Sequence, residues 1–343
     1  MEAVRLHSHG PPEVLKFEEV PDPPVRPGHV RLRIKACAVS HLDILVRKGF
    51  PGIFSTLPHI PGCDVSGVIE DVGPGTTGLK PGDEVVVNPG LSCGICEHCL
   101  SGDDYLCSQY NILGYVVDGG YATRVSVPFR NVWPKPSNLS FVEAACIPMT
   151  FVTAWNLLVE RARVRPGENV LVQSAGSGLG IASIQICKLL GARVIATAST
   201  HSKLDRALRL GADEVINYST QDFYREVKRL TRRKGVDVVV DQLGSSTFGK
   251  GLLCLARNGR MLTCGAITGS STTIDLRYVF TRHISIFGSY TGGKANLAVV
   301  IPFFEDGSLR VVVDRTFPMS QAARAHARME ERSRFGKVVL VNE

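Results

Sequence analysis

The feature that most constrains the fold is an apolar strand leading into a glycine-rich turn and then a helix. The strand is expected at Val170–Gln173 and the helix at Ile181–Leu190, closed by Gly191. Amide groups at the start of such a helix favour a phosphate, so the segment predicts a dinucleotide site. It departs from G-x-G-x-x-G because Ile181 takes the place of the third glycine. The predicted cofactor contacts in the turn are Ala175, Gly176, Ser177, Gly178, Leu179 and Gly180.

Downstream of this turn, short apolar runs alternate with helical patterns, which is typical of a parallel sheet covered on both faces. The fold class is therefore α/β, with a doubly wound Rossmann sheet. The later strands are expected at Val194–Thr197, Glu214–Ile216, Val236–Val240, Met261–Cys264 and Ile284–Phe287.

The first 130 residues instead contain short β-type runs separated by Gly and Pro. Near the end, a helix at Gln321–Glu331 and a run at Val338–Val341 indicate a return to this β-rich domain. The prediction is one domain of residues 1–130 and 293–343, with a cofactor domain of residues 131–292 inserted in it. The early strands are expected at Val30–Lys35, Val65–Val72, Asp83–Val87 and Tyr121–Val127.

Four of the ten cysteines lie close together, at Cys93, Cys96, Cys99 and Cys107, within a lobe of residues 90–108. Four thiolates fill a tetrahedral Zn²⁺ shell and leave no position for substrate, so one structural zinc per chain is predicted. Free thiols and an iron–sulfur cluster are the rival interpretations. His98 is left as a surface residue.

The chain has 39 basic and 32 acidic residues, a formal net charge of +7. The basic residues are dispersed, so no nucleic-acid partner is expected. No apolar run has the roughly 18–20 residues that span a bilayer, and the cysteine usage indicates a reducing compartment. A cytoplasmic protein without a membrane partner is therefore expected.

The residues after the strand at Val194–Thr197 bear on the choice of cofactor. An NAD site usually places a carboxylate there, but residues 198–203 contain none. The hydroxyls of Ser199 and Thr200, with Lys203 and Arg206, suit a 2′-phosphate, so NADPH is favoured and NADH remains possible.

The whole chain resembles the medium-chain dehydrogenase/reductase superfamily, through residues 62–68, Pro81–Val85 and Gly336–Leu340. The resemblance implies a β-rich GroES-like catalytic domain beside the Rossmann domain. The cysteine lobe is similar to that of zinc alcohol dehydrogenases, whereas the glycine turn and residues 216–218 look like the quinone oxidoreductase branch. That branch implies Ser199, Lys203 and Tyr218 around the adenosine phosphate and Thr153 near the nicotinamide.

The same resemblance locates the catalytic zinc ligands of alcohol dehydrogenases, and here Ser40, Cys63 and Met149 stand at those positions. A hydroxyl and a thioether are poor Zn²⁺ ligands. The segment that lines the family's cleft makes Ser40, His41 and Asp43 the catalytic candidates. The structural alternative is a packed His41 and an Asp43 that caps a helix.

The leading hypothesis is an NADPH-dependent reductase of the C=C bond of an α,β-unsaturated carbonyl, such as an enone, quinone or enoyl thioester. The first alternative is a zinc alcohol dehydrogenase with a rearranged ion site built from His41, His59, Cys63 and Asp64. The second is an NADPH-binding protein without turnover. A homodimer is expected through Ile284–Tyr290, the predicted last strand of the Rossmann sheet.

Overall fold

The computed structural model describes residues 1–49 and 56–342. The chain forms two compact units. Unit 1 contains Met1–Met149 and Gly293–Glu343, and unit 2 contains Thr150–Gly292.

The strands, in chain order, are β1 (Glu2–Leu6), β2 (Leu15–Glu19), β3 (His29–Val39), β4 (Asp64–Val72), β5 (Glu84–Val87), β6 (Gly90–Leu91), β7 (Asn111–Ile112), β8 (Arg124–Pro128), β9 (Val132–Pro134), β10 (Asn169–Val172), β11 (Arg193–Ala198), β12 (Glu214–Asn217), β13 (Val236–Asp241), β14 (Leu255–Thr263), β15 (Ser285–Gly288), β16 (Val313–Pro318) and β17 (Lys337–Val341).

The α-helices are α1 (His41–Lys48), α2 (Glu97–Leu100), α3 (Phe141–Ala144), α4 (Pro148–Trp155), α5 (Gly178–Leu189), α6 (His201–Arg209), α7 (Phe223–Leu230), α8 (Phe248–Cys254), α9 (Leu276–Thr281), α10 (Lys294–Glu305) and α11 (Ala322–Glu330). A π-helical turn at Asn156–Arg161 follows α4. None of the helices in the described part of the chain has the length and apolarity needed to cross a bilayer.

Unit 2 is built on a six-stranded parallel sheet in the order β12-β11-β10-β13-β14-β15. The order reverses at β10, which is the doubly wound arrangement of a dinucleotide-binding domain. Strands β10, β11 and β13 are almost wholly buried, and Leu171, Ile195 and Val239 pack in one core, whereas the edge strand β15 is largely exposed. The predicted α/β fold class is confirmed.

Unit 1 contains a seven-stranded sheet in the order β16-β17-β3-β4-β5-β9, with β8 also paired to β3. The long strand β3 is antiparallel to β17 on one side and to β4 on the other. The C-terminal strand therefore does return to the β-rich domain. This arrangement places the first residues of β17 and β4 beside the end of β3.

Residues 131–149 belong to unit 1, whereas the sequence prediction assigned them to the cofactor domain. The reason is pairing that the local pattern does not reveal. Strand β9 completes the sheet against β5, and the Ser66 hydroxyl donates a 2.6 Å hydrogen bond to the carbonyl of Phe141 at the start of α3.

Three predicted strands differ from the observed ones by three residues or more. The strand predicted at Val30–Lys35 continues to Val39 as β3. The segment predicted at Tyr121–Val127 becomes regular only at Arg124, because the backbone of Tyr121 bonds to Val4 and Pro61 instead of the sheet. The strand predicted at Met261–Cys264 begins earlier, at Leu255, and ends at Thr263.

Candidate active site and metal centre

The four cysteines of the zinc lobe, residues 90–108, converge. Their Sγ atoms all lie within 4.8 Å of one another, with Cys99 Sγ 3.5 Å from Cys96 Sγ and 3.9 Å from Cys93 Sγ. Four sulfurs bound at about 2.3 Å to one tetrahedral Zn²⁺ would be separated by about 3.8 Å. The sulfur positions therefore fit a structural zinc ion.

Backbone amides in the zinc lobe favour the thiolate form that zinc requires. The amides of Gly94 and Gln109 donate to Cys99 Sγ and Cys107 Sγ at 3.3 and 3.4 Å. Hydrogen bonds from the backbone of Ile95 and Cys96 lower the pKa of Cys93 to about 6. His98 is exposed beside Glu97, which agrees with its assignment as a surface residue.

The glycine turn in unit 2 has the geometry of a helix start that faces a phosphate. Ser177 caps α5, its hydroxyl accepting from the amide of Gly180 at 3.0 Å. A Cβ atom at Gly180 would lie 2.3 Å from the carbonyl oxygen of Ser174, so only glycine fits there. Gly180 lies one residue before the position of the motif's third glycine, and it allows the same close approach of helix and strand.

The residues predicted to hold the 2′-phosphate follow two adjacent strands. Ser199 follows β11 and Tyr218 follows β12, and the amide of Tyr218 donates to the carbonyl of Ala198 at 3.1 Å. Thr200 caps α6, with its hydroxyl accepting from the amide of Lys203. Thr153 is nearly buried in α4. These positions are compatible with the predicted cofactor contacts, which remain predictions.

In unit 1, three polar side chains meet where β3, β4 and β17 lie side by side. The Ser40 hydroxyl donates to Asp64 Oδ2 at 2.8 Å. Lys337 Nζ donates to Ser40 Oγ at 2.7 Å and to Asp64 Oδ2 at 2.8 Å. Their exposed fractions are 5%, 0% and 4% for Ser40, Asp64 and Lys337. We call these residues the serine–lysine cluster.

Asp43 supports this cluster from within α1. Its carboxylate accepts from the amide of Ser40 at 2.7 Å and from the amide of Gly62 at 3.1 Å, so it fixes the backbone on both sides of the site. Ser40 is the N-cap and Asp43 the N3 residue of α1, and the bond from the Ser40 amide to the Asp43 carboxylate is one half of a capping box. Complete burial raises the pKa of Asp43 to about 7, although the amide of Ser40 and the charge of Lys337 oppose the rise.

A buried hydrogen-bond chain reaches Asp43 from the C-terminal helix. Arg47 donates to His326 Nδ1 at 3.4 Å, and His326 Nε2 lies 2.8 Å from the Tyr121 hydroxyl. Arginine has no acceptor, so neutral His326 carries its proton on Nε2 and donates to Tyr121, whose hydroxyl is left to donate to Asp43. Burial lowers the pKa of His326 to about 3, which keeps it neutral.

The residues proposed for a rearranged catalytic zinc do not converge. His59 is held by the carbonyl of Gly114 at 3.1 Å and by Asp118 at 3.4 Å. Burial lowers the pKa of His41, with further contributions from Arg334 and Lys48. Within residues 1–49 and 56–342, the four cysteines are the only group of three or more His, Cys, Asp or Glu side chains placed to share a metal ion.

Sequence reasoning missed Lys337 as a site residue. Gly336-Lys337-Val338 carries part of the family resemblance, but a lysine at the start of a buried apolar strand is itself a signal of a paired side chain. A buried lysine normally has a charged or hydrogen-bonded partner. Its partners, Ser40 and Asp64, are 297 and 273 residues distant in sequence, and only strand order brings them together.

Two family models match this chain. The alcohol dehydrogenase GroES-like domain matches residues 26–137, and the zinc-binding dehydrogenase model matches residues 178–306. An NAD-dependent alcohol dehydrogenase of Sulfurisphaera tokodaii is 33% identical, over 99% of this chain and 100% of the relative. A quinone oxidoreductase of Sus scrofa is 30% identical, over 99% of this chain and 98% of the relative.

A crystal structure described as an NAD-dependent alcohol dehydrogenase has 50% sequence identity and a TM-score of 0.97, with each chain fully covered by the other. The predicted resemblance to both alcohol dehydrogenases and quinone oxidoreductases is thus confirmed. Taken with the Rossmann sheet, the glycine turn and the four-cysteine lobe, these matches show that the chain belongs to the NAD(P)-dependent oxidoreductases of the medium-chain dehydrogenase/reductase superfamily.

Proposed function

We propose that this protein is an NADPH-dependent reductase of the C=C bond of an α,β-unsaturated carbonyl. The observation that carries the proposal is the serine–lysine cluster. At one expected zinc-ligand position, Ser40 is hydrogen-bonded to a buried ammonium group and a carboxylate. A catalytic Zn²⁺ would be a second ion, in addition to the one in the zinc lobe. The ammonium group adjacent to the Ser40 hydroxyl repels such an ion, and the Met149 thioether at another ligand position binds it poorly.

The chemistry of conjugate reduction suits this set of residues. The glycine turn before α5, with Ser199 and Lys203, would hold NADPH, which would supply the hydride for the β-carbon of the substrate. Negative charge then develops on the carbonyl oxygen, and a proton must reach the α-carbon to complete the saturated product. We assign the Ser40 hydroxyl to the carbonyl oxygen, because hydrogen-bond donors aimed at developing charge stabilise the transition state. His41 and Asp43 remain the other two candidate catalytic residues. The Asp43 carboxylate accepts a hydrogen bond from the Ser40 amide and so fixes the backbone that carries the Ser40 hydroxyl.

The first test compares two classes of substrate. Holoprotein with NADPH is assayed against 2-cyclohexen-1-one, 1,4-benzoquinone and crotonyl thioesters, and with NADP⁺ against primary and secondary alcohols. The expected result is reduction of a conjugated acceptor and a loss of about 100-fold in kcat for Ser40→Ala. Ser66→Ala removes another buried hydroxyl of unit 1 and serves as the matched control. Turnover of alcohols alone would overturn the proposal.

Zinc-dependent alcohol oxidation is the second candidate, because several similar proteins carry the name alcohol dehydrogenase. It requires a second metal ion in unit 1. Elemental analysis of protein purified without chelator or added zinc separates the two functions: one zinc per chain favours the reductase, and two favour the dehydrogenase. Tight NADPH binding with no turnover of any acceptor would instead favour a non-catalytic binding protein.

For the cofactor we propose NADPH over NADH. The support is the absence of a carboxylate in residues 198–203 and the presence of Ser199, Lys203 and Tyr218 after adjacent strands. Lys203→Ala should raise the Kd for NADPH about tenfold and leave the Kd for NADH within twofold, because only NADPH carries the 2′-phosphate. Fluorescence titration measures both constants, with Lys250→Ala as the control. Equal losses for both cofactors would contradict this assignment.

We also propose a homodimer formed through β15. This strand is the edge of the six-stranded sheet, and Ile286 on it is 41% exposed. An unpaired apolar edge favours addition of a partner strand. Light scattering at micromolar concentration should give twice the chain mass, whereas a monodisperse monomer would exclude this interface.

A further inference from the structure

Lys337 stands at an unusual place for a lysine. It is the first residue of β17, it is 4% exposed, and it precedes the fully buried residues Val338 and Val339. Burial is the largest single influence and lowers the pKa of Lys337, but the opposing influences of its neighbours, led by the charge of Asp64, together raise the pKa. The side chain is therefore a charged ammonium group at neutral pH.

The available donors and acceptors fix the direction of each hydrogen bond in the serine–lysine cluster. An ammonium group has donors only, so Ser40 Oγ accepts from Lys337 at 2.7 Å. The one proton of Ser40 then points to Asp64 Oδ2 at 2.8 Å. Asp64 has further donors, since Oδ2 accepts from Lys337 and Oδ1 accepts from the amide of Met149 at 2.8 Å.

The direction of these hydrogen bonds decides whether the Ser40 hydroxyl can donate to a substrate. To donate to a carbonyl oxygen, the hydroxyl must rotate its proton away from Asp64. A buried carboxylate that lost its charged partner would hold that proton strongly. With Lys337 in place, Asp64 keeps an ammonium donor and an amide donor after the rotation. The contact from Lys337 to Ser40 Oγ also makes the hydroxyl a stronger donor, because successive hydrogen bonds polarise one another.

We propose that Lys337 is a positioning residue that releases the Ser40 proton from Asp64 and polarises the Ser40 hydroxyl toward the substrate carbonyl oxygen. The inference rests on the proposed function for its reaction, but not for its hydrogen-bond geometry. The competing interpretation is an ion pair that only stabilises the fold, in which case the state of Ser40 does not depend on Lys337.

The test uses three variants of the zinc-loaded protein. In Lys337→Met the carboxylate of Asp64 retains the Ser40 proton, so kcat per folded molecule should fall about 100-fold with KM changed less than twofold. Adding Asp64→Asn removes the carboxylate that holds the proton, so the double variant should recover to about tenfold below wild type. Lys337→Arg keeps the charge and the donors and should restore most of the activity.

Lys135→Met is the matched control. Lys135 is also in unit 1, its side chain is 6% exposed, and it pairs with Glu84 at 3.1 Å. It therefore reports the cost of losing a buried lysine away from the cluster. Thermal unfolding measures the folded fraction of every variant, so that a loss of stability is not counted as a loss of kcat.

A second readout does not require turnover. Cyclohexanone bound to the protein with NADP⁺ should show its C=O stretching band at lower frequency than in water if Ser40 donates to it. The shift should disappear in Ser40→Ala and Lys337→Met and return in the double variant and in Lys337→Arg. The C=O band therefore tests the role of Lys337 even if the protein reduces no enone. Absence of enone reduction would contradict the proposed function alone.

Two results would overturn the inference. One is a wild-type C=O band that is not shifted, or that is shifted equally in all variants. The other is an equal kcat per folded molecule in wild type, Lys337→Met and the double variant. If Lys337→Met does not fold, the double variant alone decides: wild-type kcat in it would exclude a role for Lys337.

Discussion

The zinc lobe and the serine–lysine cluster lie in the same unit, but they are assembled in opposite ways. The lobe takes its four sulfurs from 15 consecutive residues, Cys93 to Cys107. The cluster takes one side chain each from the ends of β3, β4 and β17, and its fixed positive charge comes from Lys337 near the C-terminus. A metal site built locally is visible in sequence, whereas a charge site built by strand order is not.

The two regions also differ in what supplies the positive charge. The lobe needs an added ion, because four converging thiolates repel one another without one. The cluster is already balanced, since the ammonium of Lys337 pairs with the carboxylate of Asp64 at 2.8 Å. The zinc lobe therefore depends on a bound ion, whereas the serine–lysine cluster depends on the Lys337 side chain. Substitutions in each region test this difference.

The largest effect is expected from a change in the zinc lobe. Cys99→Ser should reduce the zinc content from one per chain to none, since a serine hydroxyl is a weak ligand and structural zinc contributes directly to folding free energy. The thermal midpoint should fall by on the order of 10 °C. Elemental analysis and thermal unfolding measure both quantities. Cys187→Ser, in unit 2, is the control, and retention of zinc by Cys99→Ser would show that the lobe holds its ion differently.

A smaller, pH-dependent effect is expected at Asp43. The ordinary pKa of an Asp carboxyl is 3.8, whereas that of Asp43 in the folded protein is about 7. Ionisation of Asp43 therefore destabilises the folded state. The stabilising effect of the protonated form is complete below pH 3.8 and is lost as the pH rises to about 7, a total of about 4 kcal/mol. Asp43→Asn has no such titration. The unfolding free energy of wild type minus that of Asp43→Asn should therefore decrease as the pH rises from 5 to 7.

Urea unfolding at pH 5, 6, 7 and 8 measures this difference. At every pH the variant also carries a penalty of about 1–3 kcal/mol, because its NH2 group replaces one of the two oxygens that accept from the amides of Ser40 and Gly62. Asp83→Asn replaces a partly exposed carboxylate that accepts from one backbone amide and is the control. Parallel pH profiles for wild type and Asp43→Asn would mean that Asp43 is charged in the folded state across this range.

The contrast between the two regions explains what the sequence could predict. Periodicity and glycine placement located five of the six Rossmann strands to within one residue at each end, because the apolar residues that are buried lie within each strand. The exception is β14, which begins six residues before its predicted start. The residues of 131–149 were assigned to the wrong side of a boundary because β9 pairs with a strand 45 residues earlier. Ser40 was identified by resemblance, but neither its partner Lys337 nor the chain from Arg47 through His326 to Tyr121 follows from local pattern.

The smallest effect is expected at Cys63, and it is the most informative about the comparison. Cys63 stands at an expected zinc-ligand position but is fully buried beside Asp64, and burial raises its pKa well above that of a free thiol. Such a thiol is a neutral packing group, so Cys63→Ser should leave zinc at one per chain and kcat within about twofold. Its cost should be about 1–3 kcal/mol of stability, from a buried hydroxyl without the sulfur's packing. If instead the variant lost a second zinc together with all activity, the cluster would be a metal site like the lobe, and the distinction between an ion-filled and a lysine-filled site would fail.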